Sequence, residues 1–349
     1  MTAHELDLLT PDDIVLDALP DDVVASIDER TRWIAQAVPG DMFESLVEDA
    51  AAWPPGSVVS VAFLGGTSAL HADIAGVCAQ IESVCNVRFD FGRDAAGAFR
   101  TWSPADTAHA ADIRVSFDLP GYFSLVGRDS VDPVVGGAGG PVGGGPGQRS
   151  LNLGGYASKR PVAWKGTVLH EFLHALAFHH EHQNPKGTCQ LDFRWEDDPG
   201  YEPTTDQRGA FVNDAAGRRP GIYTYLSGFP NGWSREKTDH NLRPVTVPVT
   251  ASAFDAASVM LYRFPALFYR TADSPCAPSG DGQQLSAGDI AGLQRLYPHD
   301  DAARAALRAR TEQLLATLPP GDDAMETLRG ARSIRARVAE SLAARLGAM

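Results

Sequence analysis

Cysteine is scarce. The chain has four in 349 residues, and no two of them form a Cys-x-x-Cys pair. That excludes a thiolate-built zinc knuckle and a dithiol redox motif. Long apolar runs are missing too. No stretch of eighteen apolar residues occurs, so no membrane-spanning helix is expected. The chain opens Met-Thr-Ala-His-Glu-Leu-Asp, without the basic start, apolar segment and small-residue cleavage site of a secretory leader. As written it reads as cytoplasmic, or as exported by another route. Positive charge is in deficit: 30 Lys and Arg against 44 Asp and Glu leave a net charge of −14. Such a surface argues against nucleic acid or an anionic membrane as partner. No Gly-x-Ser-x-Gly segment is present, so the serine-nucleophile elbow is not indicated.

What is present suffices for a large core, since 44% of the residues are hydrophobic. Residues 1–52 read as helical, with an amphipathic run from Pro20-Asp21-Asp22 through Ile34 and a second short helix after Asp41. Residues 57–64 alternate and are β-branched, which predicts a strand. Helical spacing of Leu70, Ile74, Val77, Ile81 and Val84 predicts a helix over 69–85, followed by strands at 87–91 and 113–117. Residues 136–147 are almost all Gly and Pro and read as a flexible surface loop. A short strand, Ser150 to Gly154, comes next. Residues 181–298 are irregular, with a surface insertion over 208–221 and a helix at 286–296. Residues 301–349 read as two helices broken at Pro319-Pro320-Gly321. The pattern is α+β. Cys78 and Cys85, seven apart on the expected helix, would be separated by a rise of about 10.5 Å, beyond the roughly 7 Å limit of a disulfide. They read as core residues, whereas Cys189 and Cys276 could pair.

Residues 170–180 read His-Glu-Phe-Leu-His-Ala-Leu-Ala-Phe-His-His. His170 and His174 are four apart, so a helix stacks them on one face. Two imidazoles so placed can share one tetrahedral metal. Glu171 adjoins the first and can reach a metal-bound water. His180 joins them only if the chain turns near Ala177. Three neutral nitrogens with an open fourth position are the donor set of a catalytic rather than a structural zinc. His-Glu-x-x-His is a known signature of that chemistry.

Downstream lies Ser258-Val259-Met260-Leu261-Tyr262. Together with the zinc helix and the extension Phe178, His180, Glu181, it makes the chain resemble the metzincin zinc peptidases, and within them the astacin-type enzymes and their bacterial relatives. Trp53-Pro54-Pro55-Gly56, Asn231-Gly232-Trp233-Ser234 and Leu285-Ser286-Ala287-Gly288-Asp289-Ile290 also resemble that branch. The resemblance covers roughly residues 53–298. It implies a zincin-like fold with an upper subdomain over 53–180 and an irregular lower one over 181–298. A helical N-terminal segment, 1–52, and a helical C-terminal extension, 299–349, lie outside it. It implies one catalytic Zn²⁺ on His170, His174 and His180, Glu171 as general acid–base, Met260 as the residue of a Met-turn beneath the ligands, and Tyr262 as a stabiliser of the oxyanion. The activity implied is metalloendopeptidase cleavage of a protein or peptide substrate, without a covalent intermediate. The alternatives are a zinc-binding protein without turnover, a narrow-specificity processing peptidase kept latent by its N-terminal segment, and a metal hydrolase of non-peptide amides. The resemblance also places the strand before the zinc helix at the sheet edge, so that Leu151, Asn152, Leu153 and Gly154 would hold substrate backbone.

Two positions depart from the family. Ala177 stands where the family has the Gly that ends the zinc helix in a left-handed turn, which costs a residue with a Cβ roughly 1–2 kcal/mol. Asn184 stands where an Arg is expected, three residues after Glu181. Glu181 itself often contacts the released N-terminus in that family. Many of its propeptides also block zinc with an Asp, and Val38-Pro39-Gly40-Asp41 keeps the Gly-Asp of that segment. Asp41 can serve as such a latency switch, or as the cap of the next helix with Glu44. Of the other histidines, His179 and His182 lie beside the ligands in sequence; His179 reads as a surface or hydrogen-bonded residue rather than a ligand, and His240 as structural. The oligomeric state is not legible.

Overall fold

The computed structural model describes residues 19–38, 40–137, 139–244, 253–319 and 333–347. Two helices open it, α1 (Asp21–Ala37) and α2 (Gly40–Ala51). Asp21 and Asp22 occupy the first turn of α1, where they favour the helix dipole. There follow β1 (Val58–Leu64), α3 (Ser68–Glu82), β2 (Arg88–Asp90), β3 (Ile113–Ser116), β4 (Tyr122–Ser124), β5 (Leu151–Leu153) and α4 (Trp164–His174). Thr67 caps α3 by accepting from the Leu70 amide, and Leu70, Ile74, Val77, Cys78 and Ile81 form its buried stripe. Cys85 lies past the end of this helix, buried and unpaired like Cys78.

The five strands form one sheet in the order β2-β1-β3-β5-β4. All neighbours are parallel except β4, which runs antiparallel to β5 with Phe123 opposite Asn152. Val59, Val61 and Phe63 of β1 pack with the stripe of α3 and with Val168, Leu169, Phe172 and Leu173 of α4. The sheet thus presses its apolar face on the metal-binding helix.

This topology corrects the expectation for residues 150–154. β5 is interior, paired to β3 on one side and β4 on the other. Leu151, Asn152 and Leu153 have no exposed surface. The Asn152 amide is spent within the protein, donating to the Leu119 and Gly121 carbonyls at 2.9 and 2.7 Å. A Cβ on Gly154 would meet the Leu119 carbonyl at 2.4 Å. The edge is β4.

The Gly-rich segment is also not a loose surface loop. Arg114 of β3 is fully buried and donates to the carbonyls of Gln148 (2.7 Å), Ser130 (2.6 Å) and Gly143 (3.1 Å). The Gln148 amide holds the Gly137 and Gly140 carbonyls at 3.0 Å each. These loop carbonyls thereby find side-chain donors, and Val142 through Gly145 are buried.

The lower half carries α5 (Cys189–Asp192), a hairpin of β6 (Thr204–Thr205) and β7 (Phe211–Val212), α6 (Ile222–Ser227), α7 (Arg235–Leu242) and α8 (Ala287–Leu296). Cys189 and Cys276 form a disulfide within a core that includes Phe193, Trp195, Trp233, Phe264 and Phe268. Only the second strand of the hairpin, β7, falls inside the 208–221 stretch expected as an insertion; β6 precedes it. Two helices close the described chain, α9 (Asp301–Thr317) and α10 (Ile334–Gly347); the break expected between them lies mostly outside the described residues.

The described N-terminal and C-terminal segments meet. Ile34, Val38, Leu46 and Ala50 of the N-terminal segment share a core with Leu314, Leu318, Val338 and Leu342. At its base Asp49 accepts from Arg310 Nε at 3.1 Å and from the Thr311 hydroxyl at 3.0 Å. Arg345 has no exposed surface, stands 3.5 Å from Asp49 and donates to the Trp53 carbonyl at 2.9 Å.

Candidate metal centre

His170 and His174 lie one turn apart at the end of α4, both buried. The helix then exits through a left-handed residue. Ala177 has φ +70°, alone among the described non-glycine residues in being positive. Its amide donates to the His174 carbonyl at 2.8 Å, and the Phe178 amide reaches back to Leu173 at 3.0 Å. These two bonds make a Schellman termination, built on Ala where Gly is usual. The remaining carbonyls of the turn are also satisfied. Trp53 Nε1 donates to Ala175 at 2.8 Å, and the Tyr297 hydroxyl to Leu176 at 2.9 Å. Gly127, with φ +55°, lets a neighbouring loop approach, since a Cβ there would strike the Ala51 carbonyl at 2.0 Å.

The turn brings His180 back to the first two rings. His174 Nε2 lies 3.1 Å from Nε2 of His170 and 3.1 Å from Nε2 of His180. The far nitrogens of two rings are engaged: His170 Nδ1 with the Val259 carbonyl at 2.7 Å, His174 Nδ1 with the Phe178 carbonyl at 2.8 Å. A carbonyl only accepts, so these Nδ1 atoms carry the protons and Nε2 presents a lone pair. Three inward lone pairs repel unless a cation shares them. Four-coordinate zinc at about 2.0–2.1 Å from each nitrogen places the nitrogens about 3.3 Å apart. The residues therefore fit one metal ion.

The Val259 carbonyl orients the first ligand, and the segment that carries it is itself fixed. The Ser258 hydroxyl donates to Asp289 at 2.6 Å, and the Val259 amide to the same carboxylate at 3.1 Å. Asp289 also completes a capping box with Ser286 at the start of α8. The Glu181 amide donates to the Met260 carbonyl at 3.0 Å. Met260 is buried in the same core as Phe172 and Leu173. Tyr262 is buried with its ring 5.6 Å from that of His170 and 4.4 Å from that of His180.

Glu171 is buried beside His170. Tyr122 of the edge strand is close enough that the Glu171 charge adds to burial in raising its phenol above the usual range. A three-residue strand gave no sequence signal for Tyr122. Glu181 accepts from the Asn184 amide and the Asp255 backbone at 2.9 Å each. Asn184 thus supplies a neutral hydrogen bond where an Arg was expected. His179 is exposed, and His240 lies 3.7 Å from Asp28 of α1. His182, which lies beside the ligands in sequence, is fully buried against the site. The Asp41 backbone falls in α2, but its side chain lies outside the described residues.

The arrangement is that of a mononuclear three-histidine metal centre with a carboxylate on the adjoining residue. No family model matches the chain, and no curated protein does. Among solved structures it is similar to two of myroilysin, both at 24% identity. One gives a TM-score of 0.48, covering 72% of this chain and 97% of the other; the second gives 0.43, covering 71% and 86%. It is also similar to high choriolytic enzyme 1, a hatching enzyme zinc-protease from Oryzias latipes (medaka fish), at 16% identity and a TM-score of 0.39, covering 70% and 94%. These overlaps are loose, and the residues of the site carry the functional reading.

Proposed function

We propose that the protein is a zinc-dependent metalloendopeptidase. The observation that carries this is the convergence of three Nε2 atoms beside a buried glutamate that follows the first ligand in sequence. Zinc, when bound, polarises a carbonyl and draws the pKa of its water towards 7. Glu171 takes the proton from the attacking water and later delivers it to the leaving amine. Tyr262, beside two ligands, donates its hydroxyl hydrogen bond to the developing oxyanion. The free edge of β4 can accept an extended peptide by strand addition, the role first expected of β5.

A second reading concerns access. Val23 of α1 packs with Phe123 and Leu125 on the sheet side, while Lys237 of α7 pairs with Asp21 at 3.2 Å and His240 with Asp28. Helix α1 therefore touches both halves of the molecule, which favours a chain held latent by its N-terminal segment. The Cys189–Cys276 disulfide favours an oxidising compartment over the cytoplasm. Among the described residues no helix is long and apolar enough to cross a membrane.

The test is hydrolysis of casein and of a mixed peptide library by the zinc-loaded chain, intact and after limited proteolysis ahead of Trp53. Cleavage at internal peptide bonds is expected, faster after nicking. Hydrolysis of small non-peptide amides alone would replace this reading.

A further inference from the structure

His182 stands beside the three converging histidines without belonging to them. It has no exposed surface, and its Nε2 donates to the Asn241 carbonyl at 2.8 Å. That carbonyl lies in the last turn of α7, where helical acceptors lack internal partners. The ring of His182 is near-parallel to that of His180 (centroids 5.0 Å apart, 21° between planes) and to that of Tyr262 (4.7 Å, 27°). Phe264 meets it at a steep angle, 5.6 Å and 72°. Tyr262 has a second near-parallel neighbour in His170 at 5.6 Å and 20°.

A buried imidazole is costly unless hydrogen-bonded, and a phenyl ring would fill the space at less desolvation cost. What imidazole adds is a directed bond that fixes the ring plane. We propose that His182 is a positioning residue: anchored on α7, it sets the planes of the His180 ligand and of Tyr262. The lower half of the molecule thereby orients groups whose metal is held chiefly by the upper half. The kinetic part of this inference rests on the peptidase reading; the metal part does not.

Two variants test it. His182→Phe keeps a ring in the stack but cannot donate to Asn241, and His182→Leu loses both. Each is measured alone and with Tyr262→Phe, for zinc affinity by chelator competition, for the visible spectrum of the cobalt-loaded protein, and for kcat and KM. His182→Leu is expected to lower zinc affinity and kcat by roughly 10- to 100-fold each, as outer-sphere partners do. KM should hold, the cobalt bands should shift, and the kcat loss should be smaller, though not abolished, once Tyr262 is Phe. His182→Phe should lose kcat in part and shift the cobalt bands less. Wild-type zinc affinity and cobalt bands in both variants would overturn the proposal. So would kcat losses that multiply with Tyr262→Phe. If the leucine variant does not fold, the phenylalanine variant decides by the same readouts. If the unaltered protein cleaves no peptide, the peptidase reading fails, while the zinc and cobalt measurements still decide on His182.

Discussion

The turn that holds the three histidines and the helical unit built from the N- and C-terminal segments each have a buried interior, and they are held by different means. Over residues 170–180 most bonds involve backbone groups of the turn itself, with Val259, Trp53 and Tyr297 reaching in from distant segments. The helix stacks two rings, two Schellman bonds reverse the chain, and carbonyls orient the imidazoles. In the terminal unit the partners are far apart and charged. Asp49 and Arg310 are 261 residues distant, and Arg345 reaches from the last described helix to the Trp53 carbonyl. The first arrangement tolerates a strained residue because many local bonds over-determine it. The second depends on a few side chains with no solvent to replace them. Function sits in the former, and the cohesion of the terminal segments in the latter.

The largest expected separation between the two regions is chemical. Glu171→Ala should lower peptide hydrolysis by roughly 10²- to 10⁴-fold, the usual contribution of a general base. Zinc content and the melting temperature should hold. Loss of zinc in that variant would mean that Glu171 supports the centre rather than the reaction.

Asp49→Ala should do the reverse. It leaves Arg345 buried without its carboxylate, and breaking such a pair costs about 3–5 kcal/mol. Denaturant unfolding should shift by that amount, while zinc affinity in the folded protein stays unchanged. An unchanged midpoint would show that the terminal helices are held by their apolar face alone.

Ala177→Gly probes the strain in the turn. Removing the Cβ from a left-handed residue gains roughly 1–2 kcal/mol, against roughly 0.5–1 kcal/mol for the greater freedom of Gly when unfolded. A small rise in melting temperature is expected. A fall would show that the packing of the Ala177 methyl outweighs the strain.

The smallest effect is one of pH. Hydrogen bonds from Arg149 hold the Asp118 carboxyl below its usual range. A depressed folded pKa gives stability that is complete above the unfolded value, about 3.9, and lost as pH falls through the folded one. The pair is partly exposed, so the gain is small. Asp118→Asn should lower stability slightly and evenly above about pH 5, and the two proteins should converge as pH falls through the folded value.

The same contrast explains what could be read from the sequence. His170, Glu171 and His174 were legible because helical spacing is a local rule, and His180 followed once Ala177 had to turn. The disulfide partners were named as candidates. The edge strand was misplaced because β4 has three residues and its place beyond β5 is a matter of pairing, not periodicity. The Gly-rich segment read as loose because its donors, Arg114 and Gln148, lie outside it or at its end. The sequence assigned His182 no role because its partners, Asn241 and Tyr262, come from distant segments. Nothing near Asp49 announced Arg345.

The central claim is that one metal ion on three histidines, with Glu171, cleaves peptide bonds. The most direct measurement is a zinc titration of metal-stripped protein, intact and nicked ahead of Trp53, while casein cleavage is followed. Activity should rise with added zinc and saturate at one ion per chain. The Glu171→Ala protein should bind that ion and stay inactive. Cleavage without metal, or full cleavage by Glu171→Ala, would contradict the account.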